Sequence, residues 1–128
     1  MQEVVSPQAA EEMLQEWIEA TGAELDPDTQ AILTRAIRAG KLDFDTELEV
    51  FTLHLKKPLT LENGESISSI QISEPTGQQL SDATKNTKSE FDQSMKIISY
   101  VSGNPLAVIY RLKMRDMSIA GAVISFFA

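Results

Sequence analysis

Hydrophobic side chains recur at helical spacing in two segments of the first forty residues. Ser6-Pro7 gives the first segment an N-cap followed by proline at the first helical position, and Gly22 is a typical C-terminal stop. Asp26-Pro27 begins the second segment in the same way, and Gly40 ends it. Because only a few residues join them, the two segments predict an antiparallel helical hairpin. Its apolar faces consist of Ala10, Met13, Leu14, Trp17, Ile18, Ile32, Leu33, Ala36 and Ile37.

After Leu48 the pattern changes from helical spacing to alternation. Apolar side chains at Phe51, Leu53 and Leu55 alternate with polar neighbours, which predicts a half-buried strand. Pro58 lies later in the same segment, where proline is typical of a bend or an edge position.

A second strand is predicted after the Asn63-Gly64 dipeptide. This pair indicates a type I′ hairpin turn, because both residues tolerate a positive φ. The returning strand runs through Ile67, Ile70 and Ile72. Since Ile67 is out of phase with the other two, we expect a bulge or a strand start near Ser68.

The remaining residues predict a series of helices. Thr76 and Gln79 form a capping-box pattern at the start of a weak helix, whose core candidates are Leu80 and Ala83. A clearer helical stripe follows and ends at Gly103, with apolar positions Phe91, Met95, Ile98 and Val101.

Two more helices are predicted near the C-terminal end of the sequence. Asn104-Pro105 is expected to cap a helix with apolar positions Leu106, Ile109, Tyr110 and Leu112. Asp116 is expected to cap the last helix, whose apolar stripe is Ile119, Val123, Ile124 and Phe127.

Blocks of helices and strands in this order predict an α+β fold. It consists of an N-terminal helical hairpin, a small antiparallel β-hairpin or sheet, and a C-terminal bundle of three to four helices. The length of 128 residues fits a single domain, residues 1–128. Within it, residues 1–45 are a candidate for a semi-independent N-terminal helical extension, and residues 46–128 form the core.

The charge and composition restrict the classes of partner. The net charge of −8 disfavours nucleic acid, because a duplex would repel the surface. The best basic cluster, Arg111, Lys113 and Arg115, is typical of a solvated helix end. The absence of cysteine excludes disulfides and thiolate metal sites. The N-terminus lacks the pattern of a signal peptide, and no stretch approaches the ~20 apolar residues that span a bilayer, so no membrane partner is predicted.

Candidate catalytic chemistry is sparse. His54 is the only histidine, and the neighbouring strand offers it no partner by spacing, so we expect it to face solvent. The alternating carboxylates at residues 43, 45, 47 and 49 lack the glycine turn and bidentate glutamate of a calcium loop. No phosphate-binding loop or hydrolase motif is present. The sequence therefore predicts a protein that is not an enzyme and has no cofactor or metal.

Binding is the remaining class of function. Met13, Trp17, Phe126 and Phe127 are candidate anchors, because aromatic and methionine side chains are enriched in interfaces. Trp17 and Phe127 lie on helical stripes, so we expect core packing for both. Phe126 lies off its stripe and is expected to be exposed.

Residues 55–65 and 70–80 together carry a family resemblance. A Lys-Pro-Leu-Thr strand, an Asn-Gly turn, a second strand and a Glu-Pro-Thr entry into a helix resemble the tail assembly chaperones of Mu-like and related tailed phages. Asp116 followed by an amphipathic helix ending in Phe126-Phe127 extends the resemblance, which covers about residues 50–128. The helical pair at residues 7–40 lies outside it.

The resemblance implies a function in phage tail morphogenesis. Such a chaperone binds the tape measure protein, keeps it soluble and recruits tail tube subunits. It is expected in the cytoplasm of the bacterial host and not in the mature virion, with self-association into a homo-oligomer as a further expectation. The alternative is a non-enzymatic structural component of the tail or virion.

The resemblance also directs the choice of a partner-binding site. A longer form made by ribosomal frameshifting is common in the family, and it would continue from the C-terminal helix. The predicted partner-binding residues are therefore Ile119, Val123, Ile124, Phe126 and Phe127.

Overall fold

The structure is a computed structural model that describes residues 5–127. Residues 1–4 and Ala128 lie outside the described residues. Residues 1–4 are part of the N-terminus in which no signal peptide is predicted. The helices are α1 (Pro7–Thr21), α2 (Pro27–Arg38), α3 (Gly77–Thr84), α4 (Glu90–Ser102), α5 (Leu106–Ile109) and α6 (Met114–Ile124). The strands are β1 (Leu42–Asp45), β2 (Val50–Thr60) and β3 (Ser66–Ser73), and a 3-10 turn follows α6 at Ser125–Phe127. This order confirms the α+β prediction.

Helices α1 and α2 begin at the predicted capping residues. The Ser6 hydroxyl accepts a hydrogen bond from the Ala9 N–H at 3.2 Å, and the Asp26 carboxylate accepts one from the Thr29 N–H at 2.7 Å. These bonds satisfy N–H groups that have no partner inside a helix. The bond from Thr29 also holds the pKa of Asp26 below its ordinary value of 3.8.

The sheet is antiparallel with the strand order β1-β2-β3. Strand β1 precedes the alternation found in the sequence, and it pairs Phe44 with Phe51 of β2. Phe51 in turn lies opposite Ile72 of β3. One face of the sheet is therefore apolar and covered by helices. The other face is polar and carries Asp43, Asp45, Thr52, His54, Ser69 and Gln71.

The predicted irregularity near Ser68 is confirmed, and the extra residues belong to β2. His54 lies opposite Ser69, whereas Leu59 lies opposite Ile67, so the register changes between these two pairs. Between these two pairs, β2 advances by five residues and β3 by only two. The extra residues force β2 to bulge around Pro58.

The type I′ prediction for the hairpin turn is wrong. Gly64 has a φ of +86°, but Asn63 does not have the positive φ that this turn requires. Instead, the Gly64 N–H donates to the Leu61 carbonyl at 3.0 Å, and the Glu65 N–H donates to the Asn63 side-chain oxygen at 3.0 Å. The asparagine side chain thus organises the loop while glycine alone adopts the left-handed conformation.

Helices α3 and α4 form as predicted, but two of their apolar residues do not join the core. Thr76 and Gln79 make both hydrogen bonds of the capping box. Leu80 and Phe91 are exposed, and Ile97 is buried although it lies off the predicted stripe. The α4 face that packs on the sheet is therefore rotated from the predicted one.

The last two helices start and end differently from the prediction. The segment after Asn104-Pro105 is helical only over α5, which is too short to be a full amphipathic helix. Helix α6 begins at Met114, so Asp116 is inside its first turn and is not its cap. Asp116 is buried, where it accepts hydrogen bonds from Lys41 and from the Lys56 N–H.

Candidate partner-binding surfaces around helix α6

The C-terminal stripe predicted for partner binding mostly faces the core. Helix α6 packs against α2, α4 and the sheet. Ile119 and Val123 are buried there, whereas Ile124 and Phe127 are half-buried. Only the last two therefore retain surface that a partner could contact directly.

The expectation that Phe126 is exposed is wrong. Its side chain is only 4% exposed, and its ring centroid lies 4.7 Å from that of Phe51. The α-helical stripe does not extend to Phe126, because the chain tightens into the 3-10 turn after Ile124. Each residue of a 3-10 helix turns about 120°, which redirects Phe126 toward the sheet.

Phe126 belongs to an aromatic cluster that joins both ends of the chain. Trp17 of α1 lies 5.7 Å from Phe44 and 5.8 Å from Phe51, and Phe51 also contacts Phe127 at 5.9 Å. Aromatic rings in tilted and edge-on arrangements at these distances stabilise the fold beyond the contribution of burying their apolar surface. The expected core packing of Trp17 is confirmed, and the cluster ties α1 to the C-terminal turn.

An open groove of about 510 Å³ lies next to this cluster. Phe126 and Phe127 form one wall, and residues 21–24 form another. Three of its lining residues, Glu24, Glu49 and Glu74, are acidic, so we refer to it as the acidic groove. Glu49 has a φ of +55°, an uncommon conformation for a residue with a side chain. The acidic groove thus combines negative charge with an aromatic wall.

A pair of aromatic side chains is exposed at the start of α4 and just after α5. The rings of Phe91 on α4 and Tyr110 after α5 lie 6.3 Å apart and are 49% and 39% exposed. The Tyr110 hydroxyl donates to the Asp92 carboxylate at 2.6 Å. This bond raises the pKa of Tyr110 above its usual 10.0. We refer to Phe91 and Tyr110 as the aromatic pair.

Sequence periodicity does not reveal the aromatic pair, because both residues fit helical stripes. A stripe identifies one face of a helix but does not show whether another element covers that face. The feature that could have indicated exposure is the shortness of the segment around Tyr110. This segment ends in turns, so it is too short to bury a full apolar stripe.

His54 faces solvent as predicted, but the prediction that it has no partner is wrong. Its Nε2 lies 2.7 Å from an oxygen of Asp43 on the neighbouring strand β1. Both side chains are exposed, and Ser69 of β3 lies opposite His54 in the sheet register. Within residues 5–127, no group of three or more histidine or carboxylate side chains is arranged to hold a metal ion. In the same part of the chain, no helix is long and apolar enough to cross a bilayer.

One comparison with known proteins gives a match. The family model described as "Phage tail assembly chaperone proteins, E, or 41 or 14" matches residues 52–128, which is more than half of the chain. No curated protein and no solved structure matches it. The matched segment begins within β2, so it contains the aromatic pair and α6 and leaves α1, α2 and β1 outside.

Proposed function

This chain belongs to the phage tail assembly chaperone family, and we propose that it binds the tape measure protein, keeps it soluble and recruits tail tube subunits. The family match confirms the resemblance inferred from the sequence and establishes a role in tail assembly. Proteins of such a chaperone family are in general not enzymes, and binding without catalysis is part of the proposal. So is an action in the host cytoplasm before the virion is complete.

The aromatic pair is the observation that carries the proposal. It lies inside the matched segment, and its two large apolar side chains remain in contact with water. Exposed aromatic side chains that lie together favour a binding role, because their burial against a partner is a main source of interface energy. The hydrogen bond to Asp92 fixes Tyr110, which lowers the entropy lost on binding.

A largely helical client would suit this surface. An amphipathic helix presents apolar side chains every three or four residues, and two neighbouring rings can receive one such stripe. A contact of this size is weak for a single copy, but several copies on one long client would gain affinity through avidity. The net charge of −8 favours solubility of the coated client.

Co-expression with the tape measure protein from the same genome tests the proposal. We expect the tape measure protein to be soluble and recovered with the tagged chain only when both are made. The double variant Phe91→Ser and Tyr110→Ser should lose most of this recovery while its thermal unfolding remains cooperative. Failure of the wild-type chain to bind or solubilise the client would contradict the proposal.

Tyr100→Ser is the matched control. Tyr100 is 40% exposed on the same helix as Phe91, but nine positions away, which places it on the opposite side of α4. It should retain recovery of the client. Detection of the chain in purified virions would instead favour the alternative function as a structural tail component.

A further inference from the structure

We propose that a groove lined by α1 and α2 is the docking site for a helical segment of a partner protein that carries carboxylate side chains. This inference goes beyond the proposed function and does not rest on it. The residues involved precede the matched segment, residues 52–128, so the family match assigns them no role. The site is also separate from the aromatic pair, which belongs to α4 and to the turn after α5.

The two helices of the N-terminal hairpin line an open groove of about 750 Å³, which we refer to as the hairpin groove. Its lining positions on α2 lie three or four residues apart from Pro27 to Arg38, so they form one continuous face. The 12 residues of α2 extend over roughly 18 Å, the length of about three helical turns. The groove is lined by Glu11, Leu14, Gln15, Pro27, Gln30, Ala31, Thr34, Arg35 and Arg38.

The shape of the hairpin groove suits a third helix. Leu14 is buried, and Ala31 and Thr34 have short side chains, so little projects from the middle of the groove. Packed helix axes approach to about 8–10 Å, and short side chains at the contact favour the closer distances. A partner helix along α2 could therefore contact both helices of the hairpin. An amphipathic helix with an apolar stripe and polar flanks is the kind of ligand that such a groove binds.

The two arginines of α2 determine which helix fits. Arg35 is exposed and Arg38 is half-buried at the hairpin groove. Neither makes a salt bridge within residues 5–127. The Arg38 Nε is buried and has no hydrogen-bond partner in this part of the chain. A buried donor without an acceptor costs free energy, which a carboxylate bound in the groove would offset.

The position of these arginines in the last turn of α2 does not account for them fully. The helix dipole favours cations there, but it favours lysine equally and supplies no acceptor for the Arg38 Nε–H. A guanidinium group differs from an ammonium group in binding a carboxylate through two parallel hydrogen bonds. Because Arg35 and Arg38 are three positions apart, they are neighbours on the helix surface and can receive carboxylates from successive turns of one helix.

The surrounding charges favour a protein segment over a nucleic acid. Glu11 lies on the α1 side of the groove, and Glu12 and Glu16 are exposed on the same helix. Together with the net charge of −8, they repel a chain that carries a negative charge at every phosphate. A helix can instead present carboxylates to the two arginines on one flank and neutral or basic side chains to Glu11 on the other.

Two synthetic peptides test the proposal. Each has about fourteen residues, roughly 21 Å when helical, with leucine at every third or fourth position. The first carries glutamates along one flank, and the second carries lysines at the same positions. We expect the glutamate peptide to bind the full chain with a Kd below about 1 mM. Binding should shift the backbone amide NMR signals of residues 14–15 and 30–38. The lysine peptide should bind at least about tenfold more weakly.

Arginine variants assign the binding to these side chains. Arg35→Gln with Arg38→Gln should weaken binding of the glutamate peptide at least about tenfold, because charge-assisted hydrogen bonds are lost. Arg35→Gln alone, at an exposed position, should weaken it about threefold and disturb the fold least. Arg35→Glu with Arg38→Glu should bind the lysine peptide better than the glutamate peptide. Arginines that only stabilise α2 would not give this reversal.

Matched variants elsewhere serve as controls. Lys85→Gln with Lys88→Gln, in the loop between α3 and α4, removes the same charge and should bind the glutamate peptide like the wild type. Phe91→Ser with Tyr110→Ser should also do so, because the aromatic pair lies outside the hairpin groove.

Several results would overturn the proposal. These are equal affinity for the two peptides, no binding of the glutamate peptide, or NMR shifts confined to residues outside α1 and α2. An unchanged preference in the charge-reversed variant would overturn it too, as would tighter binding of a single-stranded DNA oligonucleotide at the same residues.

Discussion

The ammonium group of Lys41 donates a hydrogen bond to the carboxylate of Asp116, which lies 75 residues further along the chain. Lys41 precedes β1, outside the matched segment, whereas Asp116 lies within it. The Lys56 N–H donates to the same carboxylate. Asp116 therefore joins three parts of the fold at the start of α6.

Lys41→Met should lower the free energy of unfolding by about 3 kcal/mol, because it leaves a buried carboxylate without its cation. Asp116→Asn should cost less, since Lys41 is partly exposed and water can solvate it. The double variant should be more stable than Lys41→Met alone. Urea unfolding measures all three. A loss below about 1 kcal/mol for Lys41→Met would show that the pair is not important for stability.

Phe126→Ala should cost about 3 kcal/mol of stability, at the lower end of the range for removing a buried phenylalanine. Phe127→Ala should cost roughly half as much, because Phe127 is only half-buried. Phe91→Ala, at an exposed site, should change stability by about 0.5 kcal/mol or less. Equal effects of the Phe126 and Phe127 variants in urea unfolding would contradict the structure of the C-terminal turn.

Asp26 should make stability depend on pH in the acid range. Its pKa in the folded chain lies below the ordinary value of 3.8, so its stabilising effect is present above that value. The effect is lost as the pH falls through the lowered pKa. Asp26→Asn keeps a capping oxygen without the titrating charge. The difference in Tm between wild type and variant should therefore disappear in strong acid.

Thermal unfolding followed by circular dichroism measures this difference from about pH 7 to about pH 2. Asp28→Asn, which removes another acidic residue near the start of α2 but keeps the Asp26 cap, is the control. A difference for Asp26→Asn that stays constant over this range would argue against the hydrogen bond from Thr29.

Residues 46–128 alone should not fold cooperatively, although they contain the whole matched segment. Deleting residues 1–45 exposes Phe51, because Trp17 and Phe44, on which it packs, are lost. The deletion also leaves Asp116 without Lys41. Urea unfolding of residues 46–128 checks this expectation. A cooperative transition like that of the full chain would instead support a semi-independent extension.

Two glycine substitutions should have opposite signs. Gly64→Ala should cost about 1 kcal/mol, because the hairpin requires a φ of +86° at this position. Gly121→Ala should gain about 0.5 to 1 kcal/mol, since α6 has open space at this position and alanine favours a helix. Thermal unfolding of the two variants gives both signs, and a destabilising Gly121→Ala would indicate an unrecognised contact.

The sequence alone determined the order of most elements, because their signals are local, but it did not reveal the short strand β1. Caps such as Ser6 and Asp26 act on backbone groups three residues away, and hydrophobic periodicity reports the period of the backbone itself. The motifs at residues 55–65 and 70–80, together with the C-terminal helix, carried the resemblance to the family that the match to residues 52–128 shows. These features do not depend on contacts between distant parts of the chain.

Tertiary structure decided which faces are covered and which charges meet. Periodicity placed Phe91 on a stripe, yet its side chain is 49% exposed. It left Phe126 off a stripe, although this residue is buried against Phe51 of the sheet. The sequence predicted Asp116 as a helix cap, whereas in the structure it accepts hydrogen bonds from Lys41 and from the Lys56 N–H in the bulge of β2. Each of these outcomes depends on residues far away in the sequence, and a local pattern contains no information about such neighbours.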